Sequence, residues 1–194
     1  MPEQLGLPGF DAAPRPTDRL FFAIFPDAEA AARIAGLAGR LRADQGLKGR
    51  PLRPERFHIT VNHLGDYVGL PQGVVAAASE AAAAIAAPPF DVEFDRVESF
   101  RGRLGNRPLV LRGGDGLAAL AAFQQALGAA MMKTGLGRWV ERSFTPHVTL
   151  LYDDLAVDEQ AVEPVRWTVR EFVLIHSLLR RTQHIPLARW PLPG

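Results

Sequence analysis

Residues 57–64 read FHITVNHL, and residues 144–152 read FTPHVTLLY. Each stretch is a short apolar run that carries a His-x-Thr tripeptide, at residues 58–60 and at residues 147–149. Successive side chains on a β-strand point to opposite faces, so each tripeptide presents an imidazole and a hydroxyl on one face and apolar side chains on the other. The two stretches therefore predict two strands, each offering a polar pair that is backed by core.

The surroundings of the two tripeptides indicate an internal duplication. His58 lies 38 residues after Leu20, which opens an apolar run, and His147 lies 38 residues after Leu109, which belongs to a second such run. In each unit a predicted strand, a predicted helix and a histidine strand follow one another. Two such units meeting at one cleft would bring two histidines and two threonines around one point. This suits in-line displacement at phosphorus, with one histidine as the base and the other as the acid.

Alanine-rich segments predict the helices. One helix is predicted over residues 28–42 with Asp27 as its N-cap, and a second over residues 117–133 with Asp115 in the corresponding position. A third alanine-rich segment, residues 74–87, precedes two prolines and predicts a short amphipathic or buried helix. The first two helices occupy the same place in their units, as the duplication requires.

The second half of the chain carries strand patterns that indicate partly antiparallel sheets. Apolar and acidic residues alternate at the start of residues 90–100, and a Gly-Asn pair at residues 105–106 predicts a hairpin turn into residues 108–112. Two further strand-like runs, residues 167–179 and residues 186–193, complete the two predicted sheets.

The composition bounds the class of protein. A chain of 194 residues is long enough for one domain with a sizeable core, and its net charge of +1 argues against a strongly cationic nucleic-acid coat. The absence of cysteine excludes disulfides, a thiolate nucleophile and cysteine-ligated zinc. Residues 1–18 lack the pattern of a signal peptide, and no apolar run approaches the ~20 residues of a membrane span. We expect an N-terminal tail over residues 1–18 and a single two-lobed cytoplasmic domain over residues 19–194. No interface pattern stands out, so a monomer is expected.

The sequence resembles the 2H phosphoesterases, and most closely the bacterial RNA 2′,3′-cyclic phosphodiesterase group, also called the 2′-5′ RNA ligase family. Besides the two tripeptides, the likeness includes RLFFAI at residues 19–24, RSFTPHVTL at residues 142–150 and PLARW at residues 186–190. It covers nearly the whole chain from Arg19 onward. The resemblance implies an α+β fold of two pseudo-symmetric lobes, each an antiparallel sheet with packed helices, around a central cleft.

The resemblance also implies a mechanism. By this resemblance, His58 would donate a proton to the leaving ribose oxygen. His147 would accept a proton from water and so activate it. Thr60 and Thr149 would hold the non-bridging phosphate oxygens. The implied substrates are RNA with 2′,3′-cyclic phosphate ends or small nucleotides, converted to 2′-phosphomonoesters without a metal or a cofactor. The resemblance also implies that RNA ends could be joined through a 2′-5′ bond in the same site.

Three positions of the histidine strands depart from the family pattern. Asn62 and His63 stand where relatives carry small and aromatic residues, and alternation from His58 predicts that Asn62 faces the cleft and His63 the core. Tyr152 stands where relatives often have arginine, so a charged phosphate contact is not expected there; its ring would stack or pack.

Three more side chains are candidates for the site or the core. Arg142 lies five residues before His147, where its guanidinium could neutralise charge on a phosphate at the cleft rim. His184 stands where an aromatic residue is common in the family, and it could stack on a nucleobase or be a surface histidine. His176 lies in an apolar run and is expected to be a core residue.

Two other hypotheses stay open. The chain could be an RNA-end or nucleotide-phosphate binding module without turnover, or a 2H enzyme that acts on another small cyclic phosphodiester. A binding module should survive the loss of either histidine with modestly reduced affinity, whereas an acid–base pair should lose turnover by orders of magnitude.

Overall fold

The computed structural model describes residues 14–103, 106–141, 143–181 and 183–193. In chain order its main elements are β1 Asp18–Ile24, α1 Ala28–Asp44, β2 Ile59–Tyr67, α2 Gln72–Ala83, β3 Phe90–Ser99, β4 Arg107–Arg112, α3 Ala118–Lys133, β5 His147–Asp153, β6 Gln160–Val169, β7 Glu171–Leu178 and β8 Gln183–Pro191. Across these ranges, no helix has the length and apolar character needed to span a membrane.

The strands form two four-stranded sheets, with the orders β2-β1-β7-β8 and β5-β4-β3-β6, and every pairing is antiparallel. This confirms the predicted α+β fold with one antiparallel sheet in each lobe. Each histidine strand, β2 or β5, lies at the edge of its sheet.

The strands predicted in the second half of the chain are present, with one break. The run 167–179 is not one strand, because it breaks at Arg170 and its halves, β6 and β7, belong to different sheets. Both halves are apolar because each packs in the core of its own sheet. The apolar pattern is therefore continuous, and the sequence does not show where β6 ends and β7 begins. The predicted strand pair β3–β4 is present, while Gly105 of its predicted turn lies outside the described residues.

The helices begin close to their predicted starts. Asp27 caps α1, and its carboxylate accepts a hydrogen bond from the Ala30 amide at 2.8 Å. Asp115 does not cap α3, because residues 115–117 form a 3₁₀ turn ahead of the helix and place that carboxylate before its first turn. The helix predicted over residues 74–87 is displaced toward the N-terminus, where it spans Gln72–Ala83.

Strand β1 separates the core from the cleft. Leu20, Phe22 and Ile24 are fully buried on the face that packs against the helices. Phe21 and Ala23 lie on the opposite face, in a separate buried cluster with side chains of β7. The sheet of the first lobe is therefore apolar on both faces, and its second face forms the floor of the cleft.

A β-bulge follows the threonine in each histidine strand. In β2, Thr60 pairs with Ala23 and Asn62 pairs with Phe22, so one residue of β2 has no partner. In β5 the residue after Thr149 is skipped in the same way. An extra residue reverses the alternation of the side chains beyond it.

The bulge makes the predicted orientations of Asn62 and His63 wrong. Asn62 is 1% exposed and faces the core, while His63 lines the cleft. The same reversal in β5 buries Leu151 and brings Tyr152 to the cleft. Asn62, a candidate for contact with substrate, therefore does not line the cleft.

Asn62 provides a stability prediction. Within the described chain neither polar atom of its side chain has a hydrogen-bond partner, and the corresponding position in the second unit is Leu151. A buried amide without partners costs about 1–3 kcal/mol, so Asn62→Leu, which keeps the branching at Cγ, should raise the free energy of unfolding by about 1 kcal/mol or more. Urea unfolding would measure it, with exposed Asn106→Leu as the control. A less stable Asn62→Leu protein would mean that the amide has a partner.

The loop before β2 is held against β5 of the other lobe. The Asp153 carboxylate accepts hydrogen bonds from the amides of Lys48 and Gly49, both at 2.6 Å. A Cβ on Gly49 would lie 2.0 Å from the Tyr152 carbonyl oxygen, so only glycine fits this close approach. The two lobes are thereby joined at the end of the second histidine strand.

His176 is a buried residue, as predicted. Its Nε2 lies 2.5 Å from Oδ1 of Asp18, and the other carboxylate oxygen accepts a hydrogen bond from the Gly69 amide at 2.9 Å. These hydrogen bonds hold β1, β7 and the chain after β2 together, which accounts for a histidine in an otherwise apolar run.

Candidate functional site

The two His-x-Thr pairs meet at one cleft. His58, Thr60, His147 and Thr149 all line a cavity of about 430 Å³, which is lined by residues of both sheets. Thr60 lies in β2 and His58 just before it, whereas His147 and Thr149 both lie in β5. The folded chain therefore brings together two pairs of side chains that are far apart in sequence.

The two histidine rings are held by equivalent hydrogen bonds to the backbone. Nδ1 of His58 lies 2.8 Å from the Arg56 carbonyl oxygen, and Nδ1 of His147 lies 2.8 Å from the Thr145 carbonyl oxygen. Because a carbonyl can only accept, each Nδ1 carries its hydrogen and donates it. In the neutral ring Nε2 then holds the lone pair and is the nitrogen available for proton transfer. The duplication thus extends to the tautomer of both histidines.

The surroundings of the two rings differ. Phe21 stacks on His58 at 5.2 Å between ring centroids, Phe25 lies at 6.0 Å, and the His184 ring meets it edge-on at 5.2 Å. Burial among these rings lowers the pKa of His58, and the nearby positive charge of Arg56 lowers it further, against a raising effect of the Arg56 carbonyl. The free protein therefore favours the neutral form of His58.

His147 has fewer ring neighbours. Its ring meets Phe100 edge-on at 4.9 Å, and the Phe100 ring also carries the Arg112 guanidinium at 5.8 Å. The pseudo-twofold symmetry of backbone and tautomer is therefore broken by the side chains, which enclose His58 more than His147.

The ionisable side chains that line the cleft are basic. Among the described lining residues there is no carboxylate. The basic residues are three arginines and four histidines: Arg19, Arg56, Arg180, His58, His63, His147 and His184. Burial lowers the pKa of His184 to about 4, helped by the charges of His58 and Arg56, so His184 is neutral near pH 7. Such a lining attracts an anion and offers guanidinium groups to a phosphate.

Other predicted site residues have different outcomes. His184 lines the cleft, Asn62 does not, and Arg142 lies outside the described residues. Among the residues that the structure describes, no three His, Asp or Glu side chains are grouped so that they could hold a metal ion.

Sequence reasoning did not place several of the lining residues in the cleft, among them Arg19, Arg56, His63 and Tyr152. Arg19 could have been found, because it is two residues before cleft-facing Phe21 on the same strand face. The signal for Arg56 was weaker: it lies two residues before His58, and its carbonyl oxygen accepts the hydrogen bond from that ring. His63 and Tyr152 reach the cleft only because of the bulges.

Comparison with known proteins gives consistent results. A sequence model described as the 2′-5′ RNA ligase superfamily matches residues 22–181. The crystal structure of E. coli LigT in apo form is 26% identical, with a TM-score of 0.66, covering 93% of this chain and 100% of that chain. LigT complexed with 3′-AMP is 28% identical, with the same TM-score and coverage. LigT has also been solved in complexes with NADP+, ATP and phosphate.

A third solved structure extends the likeness in fold. TT0787 of Thermus thermophilus has a TM-score of 0.71 at 21% identity, covering 91% of this chain and 98% of that chain, and this likeness concerns the fold alone. No curated protein matches the chain.

Proposed function

Since the chain belongs to the 2′-5′ RNA ligase superfamily, we propose that it hydrolyses 2′,3′-cyclic phosphate ends of RNA or nucleotides to 2′-phosphomonoesters. The observation that carries the proposal is the matched anchoring of two imidazoles, Nδ1 to a carbonyl two residues upstream, in a cleft lined by basic groups. Two histidines with the same tautomer can supply one proton acceptor and one proton donor. The LigT complexes with 3′-AMP, ATP, NADP+ and phosphate support a nucleotide or RNA ligand.

The proposed reaction is a single displacement at phosphorus. Hydroxyl groups of Thr60 and Thr149 donate hydrogen bonds to the two non-bridging oxygens and orient the cyclic phosphate. Nε2 of His147 takes a proton from a water molecule, whose oxygen attacks phosphorus. The bond from phosphorus to the 3′ oxygen breaks, and protonated Nε2 of His58 gives its proton to that oxygen. A 2′-phosphate and a free 3′-hydroxyl remain. If the 5′-hydroxyl of another RNA end attacks phosphorus in place of water, the same displacement joins the two ends through a 2′-5′ bond.

If His58 is the proton donor, its imidazole has to be protonated before the reaction. Burial lowers the pKa of His58 and so disfavours its imidazolium in the free protein. A bound phosphate anion offsets that effect, because a negative charge nearby stabilises the protonated ring. Binding of the substrate would thus prepare the proton donor at the moment it is needed.

The test is turnover of a short RNA that ends in a 2′,3′-cyclic phosphate, incubated with the purified protein and EDTA. We expect conversion to a 2′-phosphate end, identified by ³¹P NMR, and no conversion of a 3′,5′-cyclic nucleotide used as the control. Binding without turnover would instead assign the chain as a phosphate-binding module. Preferential turnover of the 3′,5′-cyclic compound would indicate another cyclic phosphodiester.

A further inference from the structure

The two bulges deliver a second symmetric pair of side chains to the cleft. His63 lies three residues beyond Thr60 and Tyr152 three residues beyond Thr149, and both line the same cavity as the catalytic pairs. At a strand rise of ~3.3 Å per residue, this pair is displaced by roughly 10 Å along the strands from the threonines. It therefore lies beyond the point at which the cyclic phosphate would be held.

His63 is linked to Arg19 through the Asp66 carboxylate. Nε2 of His63 lies 3.2 Å from Oδ1 of Asp66, and that carboxylate accepts two hydrogen bonds from the Arg19 guanidinium, at 2.7 and 2.8 Å. The ring of His63 also meets the Trp139 ring edge-on, at 6.2 Å between centroids, and this contact helps to hold the imidazole in place. Tyr152 lines the same cavity as Arg19 and His63.

The exposed parts of this group suit a nucleotide. Tyr152 is 43% exposed, although large apolar rings are usually covered, and a nucleobase can stack on such a ring. The Arg19 side chain is also 43% exposed and keeps N–H groups besides the two that Asp66 accepts, so it can contact a phosphodiester. The rings of Phe21 and His184 contact His58 and so lie beside the proposed catalytic pair.

We propose that Tyr152, His63 and Arg19 form a second subsite, which binds the nucleotide on the 5′ side of the cyclic phosphate. The base of that nucleotide stacks on Tyr152, and its phosphodiester contacts Arg19. The subsite makes an oligonucleotide end a better substrate than a cyclic mononucleotide. This inference rests on the proposed function of the same cleft.

The experiment compares two substrates in the wild type and in single-residue variants. Values of kcat/KM are measured for a cyclic mononucleotide and for a trinucleotide ending in a 2′,3′-cyclic phosphate, using wild type, Tyr152→Ala and Tyr152→Phe. Loss of one stacked base corresponds to about tenfold in affinity. We expect Tyr152→Ala to lower the ratio of trinucleotide to mononucleotide kcat/KM about tenfold through KM, and Tyr152→Phe, which keeps the ring, to preserve the ratio. His63→Ala should lower the ratio in the same direction.

A binding measurement separates this inference from the proposed function. The same proteins are titrated with a trinucleotide and a mononucleotide that carry a 2′-phosphate. If wild type turns over neither cyclic substrate but the trinucleotide preference in binding depends on the ring of Tyr152, the subsite stands and the hydrolytic function falls. If both substrates are turned over and Tyr152→Ala leaves the ratio as in wild type, or lowers both values equally, the subsite is wrong and the hydrolytic function stands.

Discussion

His58→Ala and His147→Ala should each lower kcat for a 2′,3′-cyclic phosphate end by about 10²- to 10⁴-fold, the usual contribution of one general acid or base. Each imidazole is anchored through Nδ1, so its removal takes away the Nε2 that would transfer the proton. The double variant should lose little more than the worse single variant, because the two residues act in one step. Single-turnover assays with excess enzyme would measure the chemical step directly.

The controls for these variants are binding and folding. Affinity for the 2′-phosphate product should fall only modestly in either variant, because the threonine hydroxyls and the basic lining remain. His58→Gln and His147→Gln keep a polar side chain of similar reach, so equal unfolding curves would separate a catalytic loss from a structural one. Retained turnover in either alanine variant would refute a two-histidine mechanism.

The pH profile distinguishes the donor from the acceptor. A general acid must be protonated, so the rate falls as the pH rises through its pKa. Burial lowers the pKa of His58 in the free protein, so with His58 as the donor the basic limb of kcat/KM should begin below 6.5. The bound phosphate anion raises that pKa, so the basic limb of kcat should lie at higher pH. A basic limb of kcat/KM that does not lie below 6.5 would contradict the assignment of His58 as the donor.

The duplication was predictable because it is written in local patterns. Strand, helix and histidine strand recur at one spacing from Leu20 and from Leu109, and the sheets pair these strands as the pattern requires. The bulges were harder to predict. In the second unit, two adjacent leucines before Tyr152 interrupt the alternation and are a usable signal. In the first unit, Asn62 occupies the corresponding buried position and hides that signal.

The environment of His58 could not be derived from local sequence. His184 reaches His58 because β8 folds back antiparallel on β7, and β7 in turn pairs with β1, which carries Phe21. That proximity depends on the order of strands within a sheet, which periodicity does not encode. The lowered pKa of His58, and with it the asymmetry of the site, is thus a property of the tertiary structure.

Asp153→Ala should be the most destabilising of the substitutions considered. The side chain is buried and accepts backbone hydrogen bonds from Lys48, Gly49 and Leu155. Removal of the carboxylate leaves three amides without an acceptor, and hydrogen bonds to a charged group contribute about 1.5–3 kcal/mol each before relaxation. We expect the free energy of unfolding to fall by roughly 3 kcal/mol. Exposed Asp154→Ala removes the same charge and should change it by less than about 0.5 kcal/mol.

Protonation of Asp153 should remove the part of this stabilisation that depends on its charge. The backbone amides of Leu155, Gly49 and Lys48 lower its pKa below 3.8, so its contribution is fully present above the unfolded pKa near ~3.9 and is lost as the pH falls through the folded value. Urea unfolding at about pH 7 and below about pH 4 should therefore show the difference between wild type and Asp153→Asn shrinking in acid. A difference that stays constant with pH would show that the ionised carboxylate does not hold the loop. Because this loop joins the first lobe to β5, Asp153→Ala should also lower turnover at temperatures where the protein is still folded, and Asp154→Ala should not.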